Sequence, residues 1–169
     1  MKLLVLKFSW LLMLIGCNYS SVGQKQAEEL NVLGNTIIMS LQNNDLDSFL
    51  KVHATENDYK ELSDKNSRIS SKREPATSRA EQDFNSIEAG FKSNFEQIIQ
   101  DGITRQINWK EVQFSRIESN DPHANEGKMP VINNPLISFT YKGEELKLKA
   151  DKVAKLNRGW VILGNITLQ

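Results

Sequence analysis

The sequence predicts an α+β domain in which amino-terminal helices pack on one face of an antiparallel sheet of about four strands. Three observations carry this expectation. Apolar residues recur every three or four positions in two stretches, from Leu30 to Leu62 and from Phe84 to Ile98, the spacing of buried helix faces. From Val112 onward they alternate, the spacing of half-buried strands, with turn residues between the runs. Ahead of both patterns stands a charged and then apolar leader that does not belong to the domain.

The elements follow in order. Leu30, Leu33, Ile37 and Leu41 share one face of a first helix that begins near Gln24. Asn43, Asn44 and Asp45 end it and cap a short second helix with Leu46, Phe49 and Leu50 inside. Thr55 and Asp58 form a variant capping box that opens a third helix through Tyr59 and Leu62. Residues 63–78 are rich in Ser, Lys and Arg and read as a solvated connection or the exposed end of a helix. Ser78 with Glu81 then opens the longest helix, residues 79–100, with Phe84, Ile87, Phe91, Phe95 and Ile98 on its inner face. Gly102 is placed to end it.

Val112 and Phe114 begin a strand running to about Ser119, with a bulge turning Ile117 inward. Residues 120–134, with Pro122 and Pro130, read as a long polar loop. Ile137, Phe139 and Tyr141 form the second strand, and Lys142-Gly143 turns it back. Leu146, Leu148 and Ala150 form the third, deflected near Asp151 before Val153. Asn157-Arg158-Gly159 is another tight turn, and Trp160, Ile162, Gly164, Ile166 and Leu168 share one face of a single last strand.

The leader has its own logic. Lys2 and Lys7 precede an apolar run from Phe8 to Ile15 that is interrupted by Ser9, and Gly16 stands before Cys17, the single cysteine. Charged, apolar and small residues in that order read as a cleaved signal peptide, and a spanning helix would need about 20 apolar residues. Leu14-Ile15-Gly16-Cys17 resembles the lipobox of bacterial lipoproteins. The resemblance implies a diacylglycerol thioether on Cys17, cleavage before it and acylation, with palmitate for example, of the new amino terminus. Residues 1–16 are then the signal peptide, 17–24 a lipidated tether and 25–169 one domain. In composition the chain resembles lipoproteins of the Bacteroidetes, so the expected location is the bacterial cell envelope, anchored at the outer membrane. Glu28-Glu29 resembles an acidic surface-export signal but stands far from the cysteine.

Residues 1–16 hold two of the 21 basic side chains and none of the 21 acidic ones, which leaves the mature chain a formal charge of −2. That balance argues against nucleic acid as a partner. Lipidation would consume the one thiol, so the fold must rest on its packed core.

A further resemblance lies in the domain. Asn44-Asp45-Leu46-Asp47-Ser48-Phe49-Leu50 followed by Thr55-Glu56-Asn57-Asp58-Tyr59 resembles the early helices of small exported nuclear-transport-factor-2-like (cystatin-like) proteins. Phe139-Thr140-Tyr141-Lys142-Gly143 and Gly159-Trp160-Val161-Ile162 are similar to their closing hairpins. The resemblance implies a curved, cone-like sheet with helices in its concave face.

Enzymes of that superfamily, such as ketosteroid isomerase, work with acids, histidines or tyrosines inside the cone, which makes His53, Asp58, Tyr59 and Tyr141 the residues to weigh. Two of them have a plainer role. His53 stands at a helix end as a capping or surface residue, and Asp58 as a helix-start acid. His53 and His123 are far apart in sequence, without metal-ligand spacing, and Asp121-Pro122-His123 reads as a surface turn. No catalytic, metal or cofactor residue is therefore assigned; Cys17 is the one residue given a role, as lipid attachment. The expected function is a non-catalytic envelope module that binds a partner protein or an apolar ligand. The alternatives are an isomerase- or dehydratase-type enzyme with its site between helices and sheet, and a structural envelope component.

Overall fold

The structure, a computed structural model, describes residues 21–67, 77–119 and 130–169. The leader, Cys17, much of the Ser/Lys/Arg-rich connection and Asp121-Pro122-His123 lie outside the described residues. Within them the helices are α1 (Ser21–Asn43), α2 (Leu46–Lys51), α3 (Glu56–Ser67) and α4 (Thr77–Thr104). A 3₁₀ turn (Trp109–Glu111) leads into β1 (Gln113–Glu118), followed by β2 (Val131–Asn133), β3 (Leu136–Tyr141), β4 (Glu144–Ala150), β5 (Lys152–Leu156), β6 (Gly159–Ile162) and β7 (Ile166–Leu168). The architecture is α+β, with helices first and antiparallel sheet afterwards.

Two sheets replace the single expected one. One has the order β1-β3-β4-β7 and the other β2-β5-β6, all pairs antiparallel. The strands are linked across a corner: β2 leads into β3, β4 into β5 and β6 into β7, so three long strands each cross from one sheet to the other. The crossings are tied together at Asp151. Its carbonyl accepts from Asn134 N at 2.9 Å, its N–H donates to the Asn165 carbonyl at 2.9 Å, and its carboxylate accepts from Asn165 N at 2.9 Å. The expected deflection at Asp151 is therefore a change of sheet. The last run, expected as one strand, breaks in the same place between Ile162 and Ile166. Part of the expected loop at residues 120–134 is strand β2, paired with β5.

Helix ends and glycines explain the remaining differences. α1 begins at Ser21, so residues 21–24 of the expected tether are helical. Asn44 has φ 50°, and bonds from Asn44 N to Leu41 O and from Asp45 N to Ser40 O close α1 in a Schellman motif. α4 ends the same way at Gln106, φ 58°, and not at Gly102. Gly102 lies inside the helix because Trp109 presses on it: a Cβ there would sit 2.2 Å from Trp109 Nε1. Gly34 similarly lets α1 close on Phe114 of β1. The expected bulge is present between Phe114 and Arg116, and Ile117 pairs with Ile137.

The main core joins Leu33, Ile37 and Leu41 of α1, Phe49 of α2, Phe95 and Ile98 of α4, and the inward side chains of both sheets. A second cluster forms on the opposite face of the three-stranded sheet. There Ala154, Leu156 and Val161 pack against Tyr59 and Leu62 of α3. Helices therefore cover both faces of that sheet, not one.

Side-chain amides and one short segment occupy the sheet edges. Asn31 of α1 accepts from Ile117 N on β1 at 3.1 Å. Asn94 of α4 donates to Ile166 O and accepts from Ile166 N, both at 2.8 Å, on the edge of β7. Val52 and Ala54 bond both backbone groups of Ile162 on β6 at 2.9 Å.

Candidate functional site

The junction between α2 and α3 meets the β5–β6 turn at Arg158. Its guanidinium donates from Nε to Asp58 Oδ2 at 2.8 Å, from Nη1 to Lys51 O at 2.8 Å and from Nη2 to His53 O at 2.5 Å. One side chain thus binds the last carbonyl of α2, the His53 carbonyl just beyond it and the capping acid of α3. The capping box read from sequence is formed: Asp58 Oδ2 accepts from Thr55 N at 2.7 Å and from Thr55 Oγ1 at 2.8 Å. Burial pushes the Asp58 carboxyl up, but the Thr55 N–H and hydroxyl and the Arg158 guanidinium outweigh it and hold it below its ordinary value. Beside this clamp, Glu61 of α3 accepts from Asn157 N at 3.2 Å.

His53 is not a surface or capping residue. It is 1% exposed, with its ring between Phe49 and Phe91 at centroid distances of 4.5 and 4.4 Å. Nδ1 lies 2.9 Å from Phe49 O, and because a carbonyl only accepts, Nδ1 carries the proton. Nε2 is buried without a hydrogen-bond partner. Burial drives the imidazole pKa down to about 4, opposed by the Phe49 carbonyl and reinforced by the Arg158 charge. At neutral pH His53 is an uncharged part of the core.

The other two residues weighed from sequence point elsewhere. Tyr59 lies under α3 in the second cluster, its ring 6.2 Å from Phe84, with its phenol pKa raised by burial and by Asp58. Tyr141 donates to Gln106 O at 3.1 Å, at the carboxyl end of α4. His53, Asp58 and Tyr59 are neighbours along the chain, yet their functional groups enter three environments: the main core, the Arg158 clamp and the second cluster. The structure does not bring them together with Tyr141 around a common space.

Beside the Arg158 clamp runs an open groove of about 450 Å³ between α1, the end of α2 and the β5–β6 hairpin. Val32 and Leu33 of α1, Val52 and Trp160 form its apolar part. Val32 is 67% exposed, the highest value among large apolar side chains within the described residues. Lys51, Lys155, Arg158 and Glu29 supply its charges. Glu29 and Lys155 form an ion pair that ties α1 to β5 and lowers the Glu29 pKa. The Lys155 ammonium also lies 6.0 Å from the centre of the Trp160 ring.

No known protein family, curated protein or solved structure matches the chain. The site therefore has to be read from its own chemistry. Among the described residues no three His, Cys, Asp or Glu side chains gather in a way that could hold a metal ion. Nor is any described helix long and apolar enough to cross a membrane. Sequence reasoning did not single out Lys51, Lys155 or Trp160 as site residues, and read Arg158 as part of a turn. Their shared signal was faint: a turn carrying arginine, flanked by Lys155 and Trp160.

Proposed function

We propose that this chain is a lipid-anchored bacterial envelope protein whose domain binds a partner without catalysis, through the groove between α1 and the β5–β6 hairpin. One observation carries the binding reading. The space between helices and bent sheet is filled by Ile37, Phe49, Phe95, Phe139 and Ile162, whereas an open groove with an apolar floor and charged rim lies on the surface. An enzyme of the isomerase or dehydratase kind needs polar groups converging in an enclosed pocket. Of the titratable groups nearest that interior, His53 is a neutral core residue held through Nδ1 by the Phe49 carbonyl, and Asp58 is a helix cap bound by Arg158.

The kinship proposed is with nuclear-transport-factor-2-like proteins, in an opened form. Helices followed by a bent antiparallel meander, with α1 against its inner face, support it. The anchor proposed is lipid on Cys17, supported by the order of charged, apolar and small residues before it. Two or more acyl chains hold a protein stably at a bilayer, where a single myristoyl chain does so marginally.

Metabolic labelling with palmitate tests the anchor. The expected result is label in the wild type and none in Cys17→Ala, which is also released from membranes or left unprocessed. Equal retention and processing of the variant would overturn it. Crosslinking from position 32 tests the groove: a discrete partner adduct is expected, and its absence would overturn the assignment.

A further inference from the structure

Resting on the reading of the groove as a partner site, we propose that its occupant is an extended, acidic segment of a partner protein, with an apolar side chain next to its carboxylate. The charge balance of the groove is the first argument. Lys51, Lys155 and Arg158 line the groove with a single carboxylate, Glu29, while Asp58 behind Arg158 and Glu61 on the Asn157 amide stand outside the lining. This local excess stands on a mature chain whose overall charge would be −2.

Arg158 is also preorganised. A guanidinium has five N–H donors, and Arg158 spends three of them on Asp58, Lys51 O and His53 O. The side chain is thereby fixed while still 38% exposed, and two donors remain for an incoming acceptor. A cation already held in place costs less ordering on binding than a free one. Lys51, whose carbonyl accepts from Arg158, forms no ion pair among the described residues, although its charge is felt by the Asp45 carboxyl. Two cations at the carboxyl end of α2 therefore stand beside the apolar surface of Val52 and Val32.

Shape decides between a peptide and an anionic amphiphile. A small apolar ligand gains affinity when a pocket encloses most of its surface. This groove is open, so an acyl tail would remain wet, whereas a segment held by its own protein needs only one side covered.

The test uses the full chain purified from membranes in neutral detergent, and a fluorescein-labelled hexapeptide of alternating glutamate and leucine read by anisotropy. The expected result is binding that weakens about tenfold in Lys51→Glu and in Val32→Glu, and that is unchanged in Lys110→Glu, outside the groove lining. Raising the salt from about 50 to about 300 mM should weaken it further, as the Debye length shortens. A lysine–leucine peptide binding as well as the acidic one would overturn the proposal. So would displacement of the acidic peptide by decanoate at lower concentration than by unlabelled peptide, which would mark a fatty-acid site. If position 32 crosslinks a partner in cells while the acidic peptide is inert, the acidic chemistry fails and the groove reading stands. If neither occurs, both fail.

Discussion

Arg158 donates its Nε–H to Asp58 Oδ2 at 2.8 Å, joining the β5–β6 turn to the first turn of α3 across 100 residues of sequence. The same guanidinium binds the last carbonyl of α2 and the His53 carbonyl in the α2–α3 junction, so one side chain ties two helices to a hairpin. That tie forms one wall of the groove. Arg158→Ala should therefore cost about 2–4 kcal/mol, because Asp58, 4% exposed, is left as a buried carboxylate without its cation. Arg158→Lys should recover little of it, since an ammonium cannot reproduce the planar fork. Denaturant melts of the two variants and of Asp58→Asn check this; a loss below about 0.5 kcal/mol for Arg158→Ala would contradict it.

His53 sets a pH dependence of its own. Its folded pKa, about 4, lies below the ordinary 6.5, so the folded state resists the proton that the unfolded chain accepts. Stability is complete above pH 6.5 and falls as pH drops from there toward 4, by up to about 3 kcal/mol. His53→Met should flatten the curve in that window. The carboxyl of Asp58, whose pKa is lowered, contributes a separate loss that begins below its ordinary 3.8, where the two effects can be told apart. Urea melts of the wild type and His53→Met between pH 7.5 and 4.5, above the Asp58 range, measure the His53 contribution.

Two glycines in α4 make a matched pair. Gly102→Ala places a methyl 2.2 Å from Trp109 Nε1 and should destabilise by about 1–3 kcal/mol. Gly90→Ala meets nothing within 4 Å and should stabilise the helix by up to about 1 kcal/mol. Thermal melts of both variants should move in opposite directions.

Asn94 acts on the edge of β7 as a strand would, pairing both backbone groups of Ile166. Asn94→Ala should cost about 1–3 kcal/mol and speed exchange of the Ile166 amide, since both groups lose their partner. The uncovered edge should also raise the tendency to associate. Hydrogen exchange of Ile166 compared with Phe139, deep in the sheet, reads the effect directly.

Much of the fold was legible because its signals are local. The helix faces followed from spacing, the Thr55–Asp58 box from its two residues, and the bulge before Ile117 from a break in alternation. The sheet corner was hidden because alternation runs through it: Trp160 and Ile162 bury in one sheet, Ile166 and Leu168 in the other, with no change in pattern. Gly102 misled because a glycine under an indole looks in sequence like a glycine ending a helix. His53 misled because a histidine just past a short helix looks like a cap, and the Phe91 ring on its other side comes from α4, 38 residues along the chain. The groove was invisible for a different reason. Glu29 and Val32, Lys51 and Val52, and Lys155 to Trp160 come from three distant segments, and their meeting is a property of the tertiary fold alone.

The most direct measurement places a photo-crosslinking amino acid at position 32 in the full chain and irradiates intact cells. Position 103, another exposed apolar site at 60%, serves as the control outside the groove. A binding module of the proposed kind gives a discrete adduct from position 32, absent from position 103 and lost when Lys51→Glu is added. No adduct from position 32, or the same adduct from both positions, would contradict the assignment of the groove as the partner site.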